Sequence, residues 1–183
     1  TITVCNNGVT LNLTAFLDGY YAGLSTMTPV LANEGVSGAV GDEADTVYVE
    51  LRDSLDPSTV VETVPILLMT DGTGSGHFDF ATSGTSYWIS VRHRMTINTW
   101  SAAPVLMQDT TDYDFSSSDT QAFAGNMKEV ETGVWAFYSA DLNQDEFVDS
   151  FDYPIFDMDR FAFATGYLAS DMNGDGFVDS FDY

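Results

Sequence analysis

The sequence predicts a mainly β protein: an antiparallel β-sandwich or jelly-roll-like domain over residues 1–138, then a small pair of loops with short helices over residues 139–183. Two observations predict the first part. Apolar and polar residues alternate in many short runs, and turn-forming residues separate those runs. A third observation predicts the second part: one twelve-residue acidic phrase occurs twice.

In chain order, Ile2–Cys5 reads as a first strand whose Ile2/Val4 face could pair with a neighbour's sheet edge. Val9-Thr-Leu11-Asn-Leu13 alternates clearly, as do Val47–Arg52 and Tyr87–His93. Further strands are expected at Val60–Val64, Ile66–Met69, His77–Phe80, Ile97–Trp100, Val105–Met107 and Val134–Tyr138. Asn6-Asn7-Gly8, Asp56-Pro57 and the stretch Gly72–Gly76 supply turns. The glycine stretch lacks the Lys-Ser/Thr of a phosphate loop, so it reads as a hairpin connection. Pro65 cannot donate to a ladder and belongs at a strand edge or bulge. Pro154 can open a short helix, with Ile155, Phe156, Met158 and Phe161 spaced to pack on the sandwich or the other loop.

Composition sets limits. A hydrophobic share of 44% with 14% aromatic residues marks a globular chain of 183 residues. The net charge is −23, with only five Lys or Arg. That excludes a nucleic-acid binder driven by phosphate contacts and argues against an anionic membrane surface. No run of about 18 apolar residues suggests membrane insertion. The lone Cys5 excludes an intrachain disulfide and reads as a small buried hydrophobe. No leader is evident, and Thr1 reads as the start of a mature or trimmed chain.

The doubled phrase carries the chemistry. Its first copy places Asp141, Asn143, Asp145, Phe147, Asp149 and Asp152 at positions 1, 3, 5, 7, 9 and 12. Its second copy places Asp171, Asn173, Asp175, Phe177, Asp179 and Asp182 at the same positions. Five of these offer side-chain oxygens and the phenylalanines offer backbone carbonyls. Calcium takes about six to eight oxygens, and this is the ligand spacing of an EF-hand-type loop, so two Ca²⁺ sites are expected. The copies are unequal. Position 6, which favours glycine for its sharp turn, is Gly176 in the second and Glu146 in the first, where strain or weaker binding is expected. Residues 141–183 hold eleven acidic residues against Arg160 alone, so ion binding and folding of this segment should be coupled.

Asp at position 12 and Asn at position 3 resemble dockerin-type repeats. That resemblance implies rigid, structural loops rather than calcium sensors, working where calcium is millimolar, and hence secretion. The β region is similar to a module common in secreted proteins of Bacteroidota, through Leu11–Tyr20, Val91–Arg94 with Ile97–Ser101, Tyr113–Phe115, Gly133–Phe137 and Phe151–Ile155. The similarity implies an extracellular or cell-surface life and brings no activity with it.

No catalytic constellation is apparent. His77 and His93 lack metal-ligand spacing; His93 continues the Ile89/Val91 face and reads as a core or rim residue. Asp42, Glu43 and Asp45 read as a polar turn with a weaker option of a further cation. Trp88, Trp100, Tyr20, Tyr21 and Tyr87 read first as core, with an exposed sugar-stacking row as the alternative. Asn12-Leu-Thr14 and the Asp-Ser/Thr steps are weak glycosylation motifs. The expectation is a non-catalytic, calcium-stabilised extracellular structural protein. It would form homo-oligomers or polymers through strand edges and the calcium-loop tail, as in a surface fibre or layer. The alternative is a module binding polysaccharide or a protein partner. The second repeat stops at Phe181-Asp-Tyr183, where the first continues into its helix, so either a tail is missing or something else caps that apolar edge, and a contact with another chain is to be sought there.

Overall fold

A computed structural model describes residues 8–182. The expected first strand at Ile2–Cys5, Cys5 itself and Tyr183 lie outside the described residues.

The chain is mainly β, with antiparallel sheets stacked as in a sandwich. β1 (Val9–Thr14) is followed by a short ribbon of β2 (Tyr21–Gly23) and β3 (Thr26–Met27), then by one helical turn, α1 (Val30–Asn33). β4 (Glu43–Asp53), β5 (Val60–Met69), β6 (Thr73–Phe78), β7 (Ser86–His93), β8 (Thr96–Trp100) and β9 (Val105–Leu106) come next. β10 (Thr110–Asp114), β11 (Lys128–Glu131) and β12 (Val134–Ala136) complete the body, and α2 (Tyr153–Phe161) lies in the tail. One sheet runs β5-β4-β7-β8 with β9 beside β7; the other runs β10-β1-β6. One pairing departs from the antiparallel expectation: β1 and β10 run parallel, with Leu13 opposite Tyr113.

Alternation explains why these runs pack. Val9, Leu11 and Leu13 of β1 face Val47, Val49, Leu51, Ile66, Leu68, Ile89 and Val91 of the larger sheet, all essentially inaccessible to water. Each such side chain contributes about 1.5–3 kcal/mol relative to exposure. Phe115 and Phe137 close one end edge-to-face at 5.1 Å.

Three local expectations are corrected. Val60–Val64 and Ile66–Met69 are one strand, because Pro65 sits on the edge strand opposite Tyr48 and needs no outward donor. The glycine stretch is not a connection: Gly74 and Gly76 lie inside β6, and the turn is Asp71-Gly72 with Gly72 at φ 81°. Side chains there are forbidden by contact, since a Cβ on Gly74 or Gly76 would sit 2.7 Å from Ile66. The helix at Pro154 forms as expected, yet it buries only Phe156 deeply and leaves Met158 and Phe161 exposed.

Candidate metal centres

Both acidic phrases fold into the same loop. At position 1, Asp141 accepts the amides of Asp145 and Glu146, each at 3.1 Å. Asp171 likewise accepts those of Asp175 at 3.2 Å and Gly176 at 2.7 Å. At position 12, Asp152 accepts the amides of Leu142, Asn143 and Asp149, and Asp182 accepts those of Asn173 and Asp179. Asn143, Asp145 and Asp149 each fold onto the amide two residues ahead, as do Asn173, Asp175 and Asp179. Backbone conformation repeats too. Positions 4 and 6 are left-handed in both copies, at Gln144 and Glu146 and at Gly174 and Gly176. Sequence spacing alone produces this, since short carboxyl side chains satisfy turn amides that no helix or strand would.

Positions 1 and 12 come together and are buried; Asp152 and Asp171 are wholly inaccessible. Positions 3 and 5 and the Phe147 and Phe177 rings face solvent or lie at its edge. The carboxylates are turned to the loop amides. Among the described residues, no three His, Cys, Asp or Glu side chains converge closely enough to hold a metal as they stand.

The residues nevertheless fit a hard divalent cation. Every donor is an oxygen. Burial pushes the Asp182 carboxyl up to about 6, with Asp171 adding repulsion, and burial raises Asp141 in the same way. The one cationic side chain of this segment, Arg160, is bonded to Asp157 at 2.6 Å. The buried carboxylates of both loops are therefore short of positive charge.

The loops differ in how they meet the body. The first enters directly from β12, with the Asp141 amide bonded to the Met95 carbonyl at 3.1 Å. The Glu146 carboxylate accepts the Asn98 amide at 2.9 Å, so the residue expected only to strain the loop also tethers it to β8. The second loop is wedged deeper. A Cβ on Gly19 would lie 2.2 Å from the Met172 carbonyl, and one on Gly174 would lie 2.4 Å from Val30. Asn33 donates its side-chain amide to the Gly174 carbonyl at 2.9 Å.

A buried ionic hub fastens the stretch between the loops. Asp45, expected in a polar turn, is instead inside β4 and wholly buried. Its carboxylate accepts from Tyr20 Oη, His93 Nε2, Arg94 Nε, Tyr167 Oη and the Thr46 amide. Burial pushes Asp45 up, but these partners outweigh it and hold the carboxyl at about 2. Burial lowers the His93 ring against the pull of Asp45, to whose carboxylate its Nε2 is bonded at 3.0 Å. Arg94 also donates to the Leu168 carbonyl and stacks 3.8 Å from the Tyr167 ring centre. Sequence reasoning placed His93 in the core but missed Arg94, Asn33, Glu34 and Tyr167. Scarcity was the available signal: all five basic residues of this chain are counter-ions.

The aromatic residues divide. Tyr20 and Tyr87 are core. Trp88 packs edge-to-face against Trp100 at 6.1 Å and Phe123 at 6.0 Å, and these three with Pro57 line a shallow apolar cleft. No family model matches the chain, and no curated protein is significantly similar to it. No described helix is long and apolar enough to cross a membrane.

Proposed function

We propose that this chain is a non-catalytic, extracellular structural module in which two calcium ions brace the tail and the tail joins chains into an assembly. The observation that carries the reading is the tail's wealth of exposed apolar side chains. Phe147, Phe151, Met158, Phe161, Phe163, Phe177 and Phe181 are all mostly exposed within one short segment. Isolated exposed apolar residues need no explanation, but so many within one short segment suit an interaction surface. The occupant proposed for it is a second copy. Calcium supports this, because two ions offset part of the acidic charge that otherwise keeps copies apart. The direct run from β12 into the first loop and the Arg94 hub hold that segment in one orientation, as a repeating assembly requires.

Sedimentation and electron microscopy in millimolar calcium should show oligomers or fibres that chelator dissolves, and Phe161→Ser with Phe163→Ser should abolish them without unfolding the chain. Strictly monomeric particles in calcium would sink self-assembly. The cleft of Trp88, Trp100 and Phe123 favours a second reading, polysaccharide binding, because sugar rings stack on aromatic faces. Glycan-array binding lost on Trp88→Ala would support it.

A further inference from the structure

The second loop meets the body at one residue whose chemistry is unexplained by packing. Glu34 follows α1, and its side chain is 0% exposed. Among the described residues, no hydrogen-bond donor reaches either oxygen of its ionised carboxylate. A carboxylate cut off from both water and donors is among the least tolerated groups in a protein interior. What it faces is the carboxyl group of Asp171 at position 1 of the second loop, close enough for the pair to share a hydrogen bond when one of them holds a proton and to repel when neither does. Arg94 Nη2 lies 3.9 Å away, but that guanidinium is committed to Asp45, Tyr20 and the Leu168 carbonyl.

The approach is built, not incidental. Asn33 holds the Gly174 carbonyl through its side chain. Its own carbonyl lies 3.1 Å from where a Cβ on Gly176 would be. The end of α1 is thus registered against loop positions 4 and 6, and Glu34 is carried to position 1. A divalent cation between the two carboxylates would relieve both the missing partners and the repulsion.

We propose that Glu34 is a ligand of the second calcium site, supplied by the β-rich body to an ion held by the tail. This rests on the calcium reading above. In the first loop the corresponding contact is reversed: the loop's Glu146 reaches out to a backbone amide of the body. The second site is accordingly the stronger, and its ion is itself a bond between tail and body.

Calcium calorimetry and terbium luminescence on the full chain test this, with Asp145→Ala removing the exposed first site and leaving one. In that background Glu34→Gln should weaken the remaining site at least about tenfold. It should also raise the waters on bound terbium by about one, since a lost oxygen ligand is replaced from solvent. Glu34→Asp, which keeps the charge but withdraws it by one methylene, should weaken the site too and covers the case in which glutamine disturbs folding. Unchanged affinity and unchanged hydration in both variants would overturn the proposal, leaving Glu34 and Asp171 to share a proton. Asp171→Ala separates the two readings. If the parent chain binds two ions and Asp171→Ala one, calcium stands whatever Glu34 does. If the parent takes up no calcium at millimolar concentration, both readings fall.

Discussion

Glu146 and Gly176 occupy the same loop position with the same left-handed backbone, at φ 73° and 94°. Holding a residue with a Cβ there costs about 1–2 kcal/mol. Glu146 recovers about 1 kcal/mol by accepting the Asn98 amide. Glu146→Gly should therefore change stability by less than about 1 kcal/mol, since relief of strain and loss of the bond oppose each other. Glu146→Ala keeps the strain and loses the bond, and should destabilise by about 1 kcal/mol. Gly176→Ala should cost about 1–3 kcal/mol, because the backbone is disfavoured and the Asn33 carbonyl is already close. Urea denaturation in saturating calcium measures all three. An alanine at 146 as stable as the parent would refute the tether.

Among the elements, β6 shows how a strand can hide as a loop. Gly74 and Gly76 carry no side chains because β6 crosses against Ile66 of β5, and Gly76→Val should cost about 1–3 kcal/mol by overpacking. Thermal unfolding checks this, and a melting temperature within a degree of the parent's would contradict the close approach. Strands such as β1, β4 and β7 were legible because one face is buried and alternation follows. β6 was not, because its packing requires absent side chains, which read as turn residues. β10 was unread for another reason: Thr110–Asp114 is polar, and its parallel pairing to β1 is set by a long connection that no local pattern encodes. The two acidic loops lay at the legible extreme, since the repeated side chains of each fall within twelve residues. Glu34 lay at the other, brought to Asp171 only by the docking of α1.

For the whole molecule, charge sets what the calcium proposal predicts for the tail when ions are withdrawn. Eleven acidic residues share residues 141–183 with one arginine. Chelation should remove amide-exchange protection across both loops and α2 while β4 and β7 stay protected, because the sandwich core does not depend on the tail's charge. Protection in residues 141–182 that ignores chelator would show that calcium is not the brace.

The Arg94 hub lies between the loops and not at either end, and this gives the tail a mechanical order. Tension drawn along the chain from beyond residue 182 reaches the second loop first and peels it from α1. It then meets Tyr167 and Leu168, pinned to β4 and to the β7–β8 turn. Only after that clasp yields does load pass to α2 and the first loop. If the proposed ions are bound, a chain built this way would give length in steps, surrendering one ion at a time while the sandwich remains intact.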